Sequence, residues 1–312
     1  MPAVSVIVPA RDAAATLPAT LAGLAAQSLD APVELVVVDD GSHDATARLA
    51  RAAGATVVPG AGAGPAEARN RGAAAAGASV LAFLDADCAP TPRWLEAGLA
   101  ALEGADLLQG AVCPPPGAAI GPFDRTLWVT RPHGLYETAN LFVRRELFDR
   151  LDGFESWLRP RRGIELGEDV WFGWRARRAG ARIVFSSEAL VHHTVFPRGP
   201  RAYAAERARL RFFPAMTARI PELREAFLYR RLFLSSRTAA FDLALAGAAV
   251  AVARRRPTAL LAAAPYARLA YRDAHRGGRR RAPAVLAADL VADAIGAGAL
   301  LTGSAQARTP VL

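Results

Sequence analysis

Apolar positions in the first ninety residues fall in short blocks, not stripes. Residues 4–8, 35–38, 56–58 and 80–84 are runs of β-branched and other apolar side chains, each stopped by residues that a strand interior would reject. Continuous runs of this length predict parallel strands buried on both faces. Between them the period turns helical. Thr16 precedes Leu17, Leu21 and Leu24 with Pro18 in the first turn, an N-terminal helix signature. Asp44 stands where it would cap an alanine-rich helix running to about Ala53, and Pro65 opens a helix carrying Glu67, Arg69, Asn70 and Arg71 after the glycine-rich stretch 60–64. Strands alternating with helices across short connections predict a doubly wound α/β domain.

The polar residues that stop the runs carry the candidate chemistry. Asp85 and Asp87 leave the end of the fourth strand one residue apart. In open α/β sheets ligands collect outside the carboxyl ends of the strands, and hard cations take carboxylate and phosphate oxygens. The pair therefore suits a divalent cation bridging a diphosphate. Asp39-Asp40-Gly41-Ser42 makes a tight turn after the second strand. Further on, Glu168 and Asp169 begin a helix in which Val170, Trp171, Trp174 and Ala176 alternate with Arg175, Arg177 and Arg178. A carboxylate there is held by the free amides of the first turn.

Six segments in order resemble glycosyltransferase family 2, nucleotide-sugar-dependent enzymes of the A-type fold: Val4-Ser5-Val6-Ile7-Val8-Pro9-Ala10-Arg11, Val36-Val37-Val38-Asp39-Asp40-Gly41-Ser42, Ala68-Arg69-Asn70-Arg71-Gly72, Phe83-Leu84-Asp85-Ala86-Asp87, Thr138-Ala139-Asn140-Leu141-Phe142-Val143-Arg144-Arg145, and Gly167-Glu168-Asp169-Val170. The resemblance spans about residues 3–196. It implies an inverting glycosyl transfer from a nucleotide diphosphate sugar, dependent on manganese or magnesium. It implies a nucleotide-sugar pocket from Pro9, Ala10, Arg11, Asp39, Asp40, Arg69, Asp85 and Ala86. Within that pocket Asp40 accepts from the nucleobase and Asp39 organises the turn. By the same resemblance Asp87 binds the metal with His193 as a further ligand, Asp169 is the general base, and Asn140 and Glu168 support the acceptor side. Residues 135–154 are expected on that side, and the arginine run 159–163 is expected to fold over the diphosphate. Trp128, His133, Tyr136 and Trp157 would stack on a sugar or pack in a core. The sequence departs from the family at Arg11-Asp12, where an aromatic and Asn are usual, and at Asp152-Gly153, where Gly-Gly is usual.

Composition narrows the partners. The chain has 312 residues, 52% of them hydrophobic, enough for one α/β domain and an appendage. All 38 basic residues are arginine and the net charge is +9, which favours diphosphates and anionic lipid; no nucleic-acid-binding motif accompanies the charge. Two cysteines exclude a disulfide framework or zinc site and suit a reducing compartment. A first strand beginning at Val4 leaves no room for a secretory leader. Beyond a catalytic domain over 1–200, the region 201–312 holds three apolar segments, 232–253, 258–270 and 283–303. Two are long enough to span a bilayer, but Arg237, Asp242, Asp289 and Asp293 interrupt them. They are expected to form a helical appendage lying on the anionic cytoplasmic face of the membrane, or a homo-oligomer interface, with a membrane hairpin as the alternative. The acceptor would then be a lipid-linked or cell-envelope glycan. Two other readings are a nucleotidyltransferase on a similar sheet, disfavoured because the chain lacks the lysine of that signature, and a non-catalytic nucleotide-sugar-binding protein.

Overall fold

The computed structural model describes residues 2–158, 166–276 and 282–312. They divide into two compact units, Met1–Ala118 with Thr126–Val195, and Ala119–Arg125 with Phe196–Leu312.

In the first unit β1 (Val4–Ala10), α1 (Leu17–Ala25), β2 (Val33–Asp39), α2 (Thr46–Ala52), β3 (Thr56–Pro59), α3 (Pro65–Ala75) and β4 (Val80–Leu84) follow one another as the apolar blocks predict. The strands lie in the order β3-β2-β1-β4 and all pair in parallel, so the carboxyl ends of β1, β2 and β4 open on one edge. The rest of the sheet is mixed. It comprises β5 (Cys88–Pro90), β6 (Leu107–Cys113), β7 (Asn140–Arg144) and β8 (Ile183–His193), continuing the order as β7-β6-β8-β5. β7 runs antiparallel to both β4 and β6, and β5 antiparallel to β8. The doubly wound pattern therefore holds for half the sheet, and the antiparallel centre depends on non-local pairing that no local period encodes. Three further helices flank it: α4 (Trp94–Ala101), α5 (Arg145–Arg150) and α6 (Glu168–Arg178).

Close packing of α3 onto this sheet positions the site. A Cβ on Gly72 would lie 2.4 Å from Ile7 Cγ2 and 3.0 Å from Val38 Cγ2, so only glycine lets the helix approach β1 and β2 this closely. Arg69, one turn earlier, is thereby buried. The Asp44 cap falls one step earlier than expected: α2 starts at Thr46, with Ala45 as cap, and Asp44 Oδ1 accepts from the Thr46 amide at 2.9 Å while Oδ2 accepts from the Ala14 amide.

The second unit is helical: α7 (Pro200–Glu206), α8 (Phe213–Arg219), α9 (Leu223–Ala226), α10 (Ser236–Ala253), α11 (Ala264–Arg276) and α12 (Ala282–Ala307), with short 3-10 segments before α8 and α11. Ser235 and Thr238 close a reciprocal capping box at the start of α10. Three of the charges that interrupt the apolar segments, Arg237, Asp289 and Asp293, meet one another. Arg237 reaches Asp293 at 2.7 Å, Asp273 at 3.0 Å and Asp289 at 3.2 Å, and Tyr266 Oη donates to Asp293 at 2.9 Å. Apolar side chains instead face outward: Val252 is 81% and Leu261 76% exposed. Among the described residues α10 and α12 are long and apolar enough to cross a membrane, with 17% and 28% of their most apolar windows buried.

Candidate active site

The carboxyl ends of β1 and β2 meet two glycine-rich turns. Asp39 Oδ1 accepts from the Ser42 amide at 3.0 Å, the turn-organising contact expected of it. Asp40 behaves otherwise. It is buried, and its two oxygens accept from the amides of Gly62, Ala63 and Gly64 at 2.8, 3.2 and 3.0 Å. These contacts give Asp40 a structural task beside the nucleobase role expected of it. Three of a carboxylate's roughly four lone-pair sites are occupied, so Asp40 clamps the loop before α3, and Asp39 is the more exposed carboxylate at this edge. The Arg11 side chain is exposed, with Nη1 close to Gly62. Pro9 and Ala10 line the strand end beside it, and Ala86 is buried with its carbonyl accepting from Thr20 Oγ1.

At the centre stands Arg69, whose guanidinium donates to Asp85 Oδ1 at 2.8 Å and to Glu168 Oε1 at 3.0 Å. It stacks over Phe154 at 5.9 Å, above an aromatic group of Phe83, Phe148, Phe154 and Phe172. Residues 147–154, expected near the acceptor, thus contribute core packing here. Asn70 fixes the same segment by donating to the Phe154 carbonyl and accepting from its amide, both at 2.8 Å.

Asp169 occupies the first turn of α6, after Gly167 in a left-handed conformation (φ 70°), with Oδ1 accepting from the Val170 amide at 2.7 Å. Burial, then the charge of Glu168, pushes its carboxyl well above the usual carboxylate range; Arg69 opposes this and Glu137 adds to it. Three carboxylates, Asp85, Glu168 and Asp169, thus act on one arginine, and Glu137 acts on Asp169. Breaking such a buried ion pair by removing one partner costs about 3–5 kcal/mol, so Arg69 supports the fold as well as the site.

Sequence reasoning missed Glu137. Its Oε1 lies 3.3 Å from His133 Nε2, its buried Oε2 has no hydrogen-bond partner among the described residues, and burial pushes its carboxyl up to about 7. Burial and then Arg131 hold His133 below the ordinary imidazole value. The loop carrying both packs on α6. Trp174 Nε1 donates to the Gly134 carbonyl at 2.9 Å, and Tyr136, itself at φ 54°, lies against Gly173. The available signal was a carboxylate two residues before Ala139-Asn140, in a segment already assigned to the acceptor side.

For a divalent cation the candidate pair is Asp87 and His193, adjacent across β5 and β8 through the Cys88–His193 pairing. His193 Nδ1 lies 2.7 Å from the Thr194 carbonyl oxygen, to which it donates, and Nε2 lies 3.5 Å from Asp87 Oδ2. Imidazole oriented by a backbone carbonyl beside a carboxylate is a common metal-ligand arrangement. Among the described residues no group of three or more His, Cys, Asp or Glu forms a metal site, so any ion held here would take further ligands from phosphate and water.

Asn140 braces the sheet from within. It is fully buried, Nδ2 donates to the carbonyls of Ala111 at 2.8 Å and Ala189 at 2.7 Å, and Oδ1 accepts from Trp94 Nε1 at 2.9 Å. It ties α4 to β6 and β8 and is closed to an acceptor. Of the aromatic candidates, Tyr136 packs in the core, Trp128 is exposed, and Trp157 Nε1 donates to the Gly167 carbonyl, steadying the turn before Asp169. The arginine run 159–163 lies outside the described residues.

With this geometry in place, the comparisons are specific. Residues 5–156 match the model of "Glycosyl transferase family 2". The chain is 30% identical over 216 residues to glycosyltransferase AglE of Haloferax volcanii, covering 64% of this chain and 69% of that protein. Among solved structures it resembles the mannosyltransferase PcManGT of Pyrobaculum calidifontis in complex with GDP-Man and Mn2+ (TM-score 0.57, 20% identity, 98% of this chain and 87% of that one). It also resembles residues 1–349 of S. aureus TarS in complex with UDP-GlcNAc (TM-score 0.53, 19% identity, 98% and 92%).

Proposed function

Because the chain belongs to glycosyltransferase family 2 and has the A-type fold, we propose that this nucleotide-sugar glycosyltransferase transfers its sugar with inversion, assisted by manganese or magnesium. The observation that carries the reading is a buried, proton-seeking Asp169 beside the Arg69–Asp85–Glu168 ion-pair cluster, in the same unit as the Asp87–His193 pair. Asp169 takes the proton of the acceptor hydroxyl as that oxygen bonds to the anomeric carbon and the bond to the diphosphate oxygen breaks. Burial suits Asp169 to this task, since a base works best when its proton affinity approaches the operating pH. Glu168, tied to Arg69, orients the first turn of α6. Arg11, Asp39 and the strand ends at Pro9 and Ala10 form the nucleotide wall, and Arg69 and Asp85 border the sugar-phosphate. Asp87 and His193 would hold the cation, which when bound neutralises charge developing on the leaving diphosphate.

The acceptor is a lipid-linked or cell-envelope glycan, and the enzyme works at the cytoplasmic membrane face. Support comes from the outward apolar side chains of the helical unit combined with the +9 charge. Family membership sets aside the nucleotidyltransferase reading, and the retained Asp87 and Asp169 disfavour a non-catalytic role. Titration calorimetry with GDP and UDP, with and without manganese, is the direct test. Wild-type protein should bind one nucleotide more tightly with the metal, and Asp87→Ala should lose that tightening. Equal metal-dependent tightening in the variant would remove Asp87 from the metal site.

A further inference from the structure

The helical unit contains a groove of about 880 Å³ lined by α10, α11 and the turn before α10. Its floor is apolar: Phe233, Ala239, Ala240, Leu243 and Leu269. Its rim is cationic. Arg230, Arg268 and Arg272 line it, and no carboxylate does. Arg268 and Arg272 stand four residues apart on α11 and are both exposed. Like charges at that spacing repel on a helix, and an anion between them reverses the sign. Arg272 Nε donates to Asp273 Oδ1 at 3.1 Å, while Asp273 also pairs with Arg237.

The third arginine is held at a conformational cost. Arg230 and Arg231 both have positive φ, 51° and 62°, at the centre of a turn whose flanks pair Tyr229 with Phe233. Turns with two left-handed central residues favour Asn-Gly, and a left-handed position crowds the Cβ of an L-residue against the following carbonyl oxygen. Arg231 is tied back by Glu225 at 3.0 Å, and Arg230 stacks over Tyr229 at 5.5 Å on the groove side. Strain retained beside a cationic rim is a reason to look for a ligand.

We propose that this groove binds one anionic phospholipid, its phosphate among Arg230, Arg268 and Arg272 and its hydrocarbon along Leu243 and Leu269. Charge complementarity selects a phosphate, and the apolar floor selects an amphiphile over a free anion. The inference rests on the membrane-surface reading of this unit and sharpens it from general adsorption to a stoichiometric site.

The test uses full-length protein and dihexanoyl phosphatidylglycerol below its micellar concentration, followed by calorimetry. Saturable binding near one lipid per chain is expected, weakened about tenfold or more by Arg268→Gln with Arg272→Gln and, separately, by Leu243→Asp. Each changed residue is exposed, so melting temperature should hold; Arg268→Gln alone serves if the double variant does not fold. Equal binding of dihexanoyl phosphatidylcholine, or of inorganic phosphate, would overturn the proposal, as would unchanged affinity in the variants or no saturation in the wild type. Pelleting with phosphatidylglycerol vesicles is measured in parallel. A wild type that pellets yet does not bind the soluble lipid overturns the groove while leaving the membrane reading intact.

Discussion

Asp169 sits among more negative charge than one arginine offsets, and two substitutions separate its roles. If it only braces the start of α6, Asp169→Asn keeps activity, because asparagine serves well at helix starts. As the general base, the same variant should keep donor affinity and melting temperature while transfer falls by about 100-fold or more, since an amide cannot take the proton; quenched-time-point transfer assays decide. Glu137 adds a pH dependence whose sign is fixed. Its carboxyl is raised from 4.5 to about 7 by burial. A group raised on folding stabilises the fold fully below its unfolded value and loses that contribution as pH climbs through its folded one. At about 1.4 kcal/mol per pH unit the whole loss is about 3 kcal/mol. Glu137→Gln should therefore flatten the fall in melting temperature between about pH 5 and 8. It should also move the acid limb of the transfer profile to lower pH, because one of the negative charges raising Asp169 is gone while Glu168 and Arg69 remain. A limb that stays in place would separate Glu137 from the base. Asp85, Asp87 and Asp169 stood out in the sequence because carboxylates at strand ends and helix starts are local patterns; Glu137 and the loop-clamping role of Asp40 did not, because each is defined by groups far along the chain.

At the scale of elements, the close approaches decide where side chains go. Gly173 lets α6 meet the 131–138 loop: a Cβ there would lie 2.1 Å from Tyr136 Cδ2. Gly173→Ala should displace the loop bearing His133 and Glu137, costing about 1–3 kcal/mol as overpacking does. Denaturant melts would measure that cost, and transfer should fall further than nucleotide affinity. A variant with normal acceptor KM would show that the loop is not part of the acceptor side. The parallel strands β1, β2 and β4 were legible as apolar runs, since their centres are buried and only Ser5 breaks a run. β7 was legible only as a motif, because its direction follows from the path of residues 114–139 and from Asn140, whose three hydrogen bonds go to α4, β6 and β8.

For the molecule as a whole, the outward apolar residues of the helical unit carry a further expectation. Val252 and Leu261 are so exposed that changing both to aspartate should leave folding intact. Partition of full-length protein onto anionic vesicles should fall several-fold by sedimentation, because about 25 cal/mol is lost per Å² of apolar area no longer buried; unchanged partition would place the membrane contact elsewhere. By itself the sequence determined the alternation of strands and helices, the strand ends where a diphosphate would collect, and the helix bearing Asp169, because periodicity, caps and turn residues act within a few positions of themselves. Tertiary structure alone decided that Arg69 joins Asp85 to Glu168, that Asn140 and Asp40 spend their hydrogen bonds inside the fold, and that Arg237 gathers Asp273, Asp289 and Asp293. Those pairings join residues 16 to 99 positions apart, where burial makes an unpaired polar group costly and so selects its partner from whatever the packed chain brings near.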